Sequence, residues 1–289
     1  MTTGVRVVLV VLYVLLAPLI GALLAGIDRK ISARMQRRVG PPVLQPMYDV
    51  IKLLKKQVIA VDRSQGFLIV SYMILTVITG CLFFAGVDVL MVFFIMSTSS
   101  VFLYLAAVVT GSPMSTMGAL RELVQDMAIE PALLFSAVGF YLATGSFEVE
   151  SIIGEPVSAI AKMPGFFAAF IFVLTIKMRK SPFDTAQSTH AHQELVKGIT
   201  TEMGAKNLAY FEITEWYETV LMLAVVAMYI INSHPTSIIV AVAVILIVYF
   251  LEILIDNTCA RVKWKDMLVL SWIVTLICAG VNLILLMVI

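Results

Sequence analysis

Long apolar runs constrain this chain more than anything else in it. Stretches at 5–27, 66–85, 89–110, 118–144, 165–178, 213–231, 237–254 and 267–288 each read as a helix crossing a bilayer, whose hydrocarbon core takes about 20 residues of helix. Only 13% of the residues are charged and 61% are hydrophobic, where a soluble domain is roughly a quarter charged. The expected fold is therefore an all-α integral membrane protein: one membrane domain over residues 1–289 with about eight transmembrane helices. The first run has little basic charge before it and no small-residue cleavage site after it, so it reads as a retained helix.

Between the first two runs the periodicity changes. Over 44–58, Met47, Val50, Ile51, Leu54 and Val58 fall on one helical face and Gln45, Asp49, Lys52 and Lys56 on the other. With Pro46 in its first turn, this segment reads as an amphipathic helix lying on the membrane surface. Alternating the spans puts the basic segments after runs one, three, five and seven on one side. Only Arg6 and Lys162 of the 20 basic residues fall on the other. By the positive-inside rule the basic side is cytoplasmic and both termini are outside, in the cell membrane.

The densest polar island runs from Lys177 to Glu218, and it contains a long cytoplasmic loop at about 179–212. It holds His190 and His192, two of the three histidines, and the acids Asp184, Glu194, Glu202, Glu212, Glu215 and Glu218. A loop that only joined two helices would need a handful of residues, so this one reads as a docking and proton-handling surface. His190, His192 and Glu194 have the i, i+2, i+4 spacing of a loop, with no further ligand fixed nearby. Polar contact with a partner, or proton transfer, is expected there, and no metal. Lys177, Arg179 and Lys180 read as side chains reaching from a helix end toward water.

Acids inside the spans are the other candidates, because intramembrane carboxylates are costly and mark polar paths. Glu122, Asp126 and Glu130 are spaced i, i+4, i+8 along one helix, with Arg121 and Gln125 beside them. Pro131 follows and should leave the Met127 carbonyl free for water. The alternative is a wet helix start holding Glu122 and Asp126. Glu212, Glu215 and Glu218 open the sixth run. A helix N-terminus would by itself favour Glu212 there, whereas Glu218 needs a partner or a proton. Glu252 and Asp256 are i, i+4 at the inner end of the seventh run, Glu252 among helices and Asp256 equally well in water.

Cys81, Cys259 and Cys278 are far apart and form no C-x-x-C, so no iron–sulfur or zinc site and no disulfide framework is expected. There is no phosphate-binding glycine loop, no nucleophile triad and no sign of nucleic-acid binding. No cofactor and no catalytic residue is expected in this chain.

Several motifs together resemble a known family. R-x-G-P at Arg38–Pro41, L-Q-P-x-x-D-x-x-K at Leu44–Lys52 including Asp49, and G-A-L-R at Gly118–Arg121 with Gln125 and Glu130 resemble the membrane component of respiratory complex I that abuts its quinone site. S-P-F-D at Ser181–Asp184, E-L-V-x-G from Glu194, T-E at Thr201–Glu202, and Glu215 continue the likeness in order along nearly the whole chain. Two departures matter: Lys177 stands where that family has an acid, and S-T-H-A-H-Q intervenes between Asp184 and Glu194. The second form is similar to the matching subunit of energy-converting (Ech-type, group 4) nickel–iron hydrogenases.

That resemblance implies a metal-free membrane subunit anchoring a peripheral arm. The arm would comprise hydrogenase large and small subunits and an iron–sulfur protein, which hold the nickel–iron centre and the iron–sulfur clusters. Ferredoxin would donate electrons, and an antiporter-like membrane subunit would carry H+ or Na+. The alternatives are the same subunit in a quinone- or phenazine-linked dehydrogenase or a sulfur reductase, a stand-alone ion transporter, and a purely structural anchor.

Overall fold

The computed structural model describes residues 3–57, 62–188 and 193–288. Val58, His190 and His192 lie outside the described residues. The described chain is helical, and its strand-like pairing is limited to the isolated bridges Asp88–Glu148 and Phe183–Val262. In order the helices are α1 (Thr3–Met35), α2 (Gln45–Leu54), α3 (Arg63–Phe84), α4 (Val89–Val108), α5 (Pro113–Thr144), the short α6 (Val149–Ile153) and α7 (Ala159–Lys162), α8 (Pro164–Lys177), α9 (Ala205–Met228), α10 (Thr236–Thr258), α11 (Trp264–Val274) and α12 (Gly280–Val288). A π-helical turn at Thr275–Ala279 joins the last two into one span.

Six of these spans are long and apolar enough to cross a membrane: α1, α3, α4, α5, α10 and the joined α11–α12. The expected eight are thus present as helices, but two differ in kind. α8 has 14 residues, about 21 Å at 1.5 Å per residue, against about 30 Å of hydrocarbon. α9 has 24 residues but carries Glu212, Glu215 and Glu218. It also starts at Ala205, so about the last quarter of the expected 179–212 loop is helix. Glu212 is therefore two turns in, and the helix-terminus explanation for it does not hold.

Local chemistry accounts for the helix ends. The Asp62 carboxylate accepts from the Ser64 amide at 2.7 Å and begins α3, and Asp88 accepts from the Leu90 amide at 2.8 Å and begins α4. Proline opens α2, α5 and α8 within the first turn, where it removes no helical hydrogen bond.

α2 departs from expectation. Met47, Val50 and Leu53 pack on Ala22 and Ala25 of α1 and on Ala209, Ile213 and Trp216 of α9, while Tyr48, Ile51 and Leu54 are exposed. The apolar side is therefore split between protein and surroundings, because α1 and α9 offer small residues into which the helix settles.

The main core lies among α4, α5, α8, α9 and the last span, around Tyr229. Its ring meets Phe140 at 4.6 Å, Phe167 at 5.3 Å and Phe170 at 5.7 Å. Two glycines set helix spacing where the site lies. A Cβ on Gly21 of α1 would stand 2.6 Å from Trp216 Cβ on α9, and one on Gly118 of α5 would stand 2.2 Å from the Ile199 amide nitrogen. Gly118 thereby lets the turn at Gly198–Thr200 lie against α5. At the opposite end, Arg6 pairs with Glu150, and Lys162 meets Glu155 at 3.8 Å. The two basic residues set apart by the charge count thus share one end of the bundle.

Candidate functional site

The site is organised by the residues that end α8. The Lys180 amide donates to the Thr175 carbonyl and the Arg179 amide to the Ile176 carbonyl, both at 3.0 Å. This is a Schellman ending, whose left-handed position usually holds glycine. Here Arg179 holds it, at φ 53°. The turn aims the guanidinium back beneath the helix end, into the bundle. Lys177, Arg179 and Lys180 do not reach out to water, as their position at a helix end suggests. Their side chains are 8%, 11% and 8% exposed, and each is held by acids.

Arg179 grips two helices at once. Nη1 and Nη2 donate to Glu122 on α5 at 2.8 and 2.7 Å, and Nε and Nη2 donate to Glu215 on α9, both at 3.2 Å. Phe211 lies 5.6 Å below the guanidinium. The buried Tyr72 hydroxyl on α3 reaches Glu215 at 3.4 Å and Glu218 at 3.3 Å. Glu218 pairs with Lys177 at 2.6 Å, and Lys177 lies 3.8 Å from Asp126 on α5. One chain of alternating charge therefore runs Glu122, Arg179, Glu215, Tyr72, Glu218, Lys177, Asp126, across four segments of the fold. Each buried charge has an opposite neighbour, the condition under which charges persist away from water. Because neighbouring members share partners, the charge on one bears on the pairing of the next.

Above the chain lies the polar loop, strapped down by Arg261 from the α10–α11 connection. Its Nε donates to both Asp184 oxygens at 2.8 and 2.9 Å, and its Nη2 pairs with Glu194 at 2.8 Å. Glu194 also accepts from Arg121 of α5, whose guanidinium stacks 5.6 Å from the Trp264 ring. The Arg121 hydrogen bond, followed by the charges of Arg121 and Arg261, holds the Glu194 carboxyl below the usual glutamate range. The Ala186 amide donates to Gln125 of α5. Loop and α5 are thus joined side chain by side chain.

A second polar group lies on the α1–α10 side. Lys180 pairs with Asp28 of α1, and Asp256 accepts from the Ser181 amide at 2.7 Å. Glu252 accepts from the Thr175 hydroxyl at 3.2 Å. Both acids of α10 are buried, Asp256 included.

Of the other sequence candidates, Glu130 stands apart. It lines a small cleft of about 70 Å³ with Phe93, Phe94, Ser97, Leu133 and Leu134, on the α4 side of α5. The carbonyl released by Pro131 is not left for water. The Trp272 indole donates to the Met127 carbonyl at 3.1 Å, and Ser271 donates to Ala128 next to it. The last span packs on α5 at this point and supplies the missing donors. Glu212 lines a cavity of about 520 Å³ that extends from Gly21 and Trp216 up to Lys197. Asp49 pairs with Arg29 at 3.1 Å, and Arg38 donates to Gln36 at the surface. The Glu202 carbonyl meets Gln65 at 3.5 Å.

Sequence reasoning missed Tyr72, Asp28, Arg261 and the three cations at the end of α8 as parts of the site. One signal was available for the cations: the apolar run before them is too short to carry them clear of the membrane.

These features define a multi-span helical membrane protein of the kind that works inside a larger complex, with a buried ion chain under a polar platform. The chain belongs to the NADH dehydrogenase family, whose model matches residues 7–287. It is 29% identical over 285 residues to "Hydrogenase-4 component C" of Escherichia coli (strain K12), covering 87% of each chain. Over 240 residues it is 29% identical to "Formate hydrogenlyase subunit 4" of the same organism, covering 76% of each. It is also 29% identical over 240 residues to a subunit of the NADH-quinone oxidoreductase of Aquifex aeolicus (strain VF5), covering 72% of this chain and 70% of that one. A chain of the membrane-bound sulfane sulfur reductase, an archaeal respiratory membrane complex, superposes with a TM-score of 0.84 at 22% identity, over 97% of this chain and 99% of that one. The relatives are, by name, components of oxidoreductase complexes, and this chain is a subunit of the same complex I-like and hydrogenase-like class.

Proposed function

We propose that this chain is the membrane anchor and coupling subunit of an energy-converting nickel–iron hydrogenase. In this reading ferredoxin delivers electrons to a peripheral arm made of hydrogenase large and small subunits and an iron–sulfur protein, and the arm reduces protons to H2. The arm docks on the platform of Asp184, Glu194, Arg121 and Arg261, on the cytoplasmic side. The redox centres stay in the partners. A charge change at the platform reaches Arg179, redistributes its grip between Glu122 and Glu215, and passes along the chain to Asp126. From there an antiporter-like membrane subunit moves H+ or Na+.

One observation carries this reading: a single buried guanidinium, set directly under the platform, is shared by carboxylates on two different spans. The near full-length likeness to a hydrogenase component supports the choice of reaction. The test is to purify the complex through a tag on this chain and measure nickel, H2-dependent dye reduction and ion uptake in vesicles. Glu215→Gln should lower the ions moved per H2 at least several-fold. Unchanged coupling in Glu215→Gln would remove the chain from the mechanism.

The cavity of about 520 Å³ between α1 and α9 favours one second reading: the equivalent subunit of a quinone- or phenazine-linked dehydrogenase or a sulfur reductase. A purified complex without nickel but with quinone or sulfur reductase activity would establish it.

A further inference from the structure

The acids on α10 are not part of the Arg179 chain, and their surroundings are of another kind. Every acid of that chain faces a cation, Arg179 or Lys177. Glu252 is fully buried, with one oxygen hydrogen-bonded to Thr175 and, among the described residues, no hydrogen-bond partner for Oε2. No cation of the described residues lies within ion-pair distance of it. The charges that act on it are Lys180 and Asp256, and Lys180 is already paired with Asp28. Leu24 and Ile31 of α1 and Leu223 of α9 form an apolar cluster with Tyr249 and Ile253, the neighbours of Glu252 on α10.

A carboxylate there has one hydroxyl and no paired cation among the described residues to offset its burial. A hydrogen on Oε2 removes the charge, and the open oxygen is where it fits. Asp256 is four residues further along the same face, about 6 Å along the helix. It lines a cavity of about 400 Å³ together with Asp28, Ser32, Gln36 and Arg38. Asp256 therefore stands between the cavity and Glu252.

We infer that Glu252 is a proton-binding site loaded from the cavity between α1 and α10 through Asp256, separate from the Arg179 chain. The ligand is a single proton. It enters at the cavity, is passed by the Asp256 carboxyl and is held on Glu252 against Thr175. This role needs no redox reaction, so it stands or falls independently of the partner proposed above.

The experiment uses the membrane complex containing the full chain, purified in mild detergent and transferred from H2O to D2O at neutral pH. Infrared difference spectra report the carbonyl stretch of a protonated carboxyl group, which shifts on deuteration. The wild type should show such a band. Glu252→Gln should remove it, and Glu215→Gln should leave it. Thr175→Val keeps Glu252 but removes its hydrogen bond, so the band should move to higher frequency. Asp256→Asn should slow the exchange at least tenfold. A band that survives Glu252→Gln, or no band in the wild type, overturns the site. Exchange within twofold of wild type in Asp256→Asn overturns the route. Ion coupling measured on the same preparations tests the chain through Glu215 separately.

Discussion

Arg179 meets Glu122 through two parallel hydrogen bonds, at 2.7 and 2.8 Å, and uses the rest of the same guanidinium on Glu215. Only the planar five-donor fork of arginine serves two carboxylates this way, because a lysine ammonium is a point charge without that geometry.

Removing the fork strands two buried acids. Arg179→Ala should cost about 3–5 kcal/mol, the usual penalty for breaking a buried ion pair from one side. Arg179→Lys should recover part of the loss but not the bridge between α5 and α9. Thermal unfolding of the purified complex measures both, and equal midpoints for Arg179→Lys and wild type would contradict the two-sided grip.

Tyr72 is the one uncharged member of the chain. Tyr72→Phe keeps the ring and removes the donor between Glu215 and Glu218. It should cost about 1 kcal/mol of stability, the typical net value of a hydrogen bond. The ions moved per H2 in proteoliposomes should fall at least several-fold. A coupling ratio equal to wild type would show that the hydroxyl is structural only.

The loop strap should respond to acid. Glu194 is held below the ordinary carboxyl range, first by the Arg121 hydrogen bond and then by the Arg121 and Arg261 charges. A depressed folded value stabilises the strap fully above the unfolded pKa of about 4.3 and loses that contribution as pH falls through the folded value. Limited proteolysis of the segment around 181–196 should therefore be slow at neutral pH and speed up only below the normal glutamate range. In Glu194→Gln the rate should be high throughout and lack that acid step.

Trp272 closes the gap that Pro131 opens in α5. Trp272→Phe leaves the Met127 carbonyl without its donor and should destabilise by about 1–3 kcal/mol, the cost of an unsatisfied polar group. An unchanged melting midpoint would mean that another donor replaces the indole.

Much of the fold was readable because apolar length is a one-dimensional signal. α3, α4 and the last span fall within a few residues of their expected limits. The start of α9 was hidden, because Gly204 precedes it without a side-chain cap and Lys206, Asn207 and Glu212 break up the apolar residues of its first two turns.

The candidate acids were visible as charges in greasy surroundings, but their partners were not. At about 100° per residue, Glu122 and Asp126 stay on adjoining sides of α5, whereas Glu130 lies about 80° around from Glu122. That rotation points Glu130 at α4 and away from α8 and α9. The cations at the end of α8 were misplaced for a different reason. Nothing in K-M-R-K announces an arginine in a left-handed backbone conformation, and without that turn the guanidinium would point the other way.

Tyr72 is nine residues inside α3 counted from Arg63, about 13 Å along a helix of about 33 Å. A proton reaching Glu218 beside it from the Arg63 end would therefore travel roughly two-fifths of the length of that helix. One charge crossing the whole membrane changes energy by about 2.3 kcal/mol per 100 mV, so this partial crossing is worth about 0.9 kcal/mol per 100 mV. In the proposed function, a membrane voltage would thus act on how readily the chain is filled, with no moving part needed to sense it.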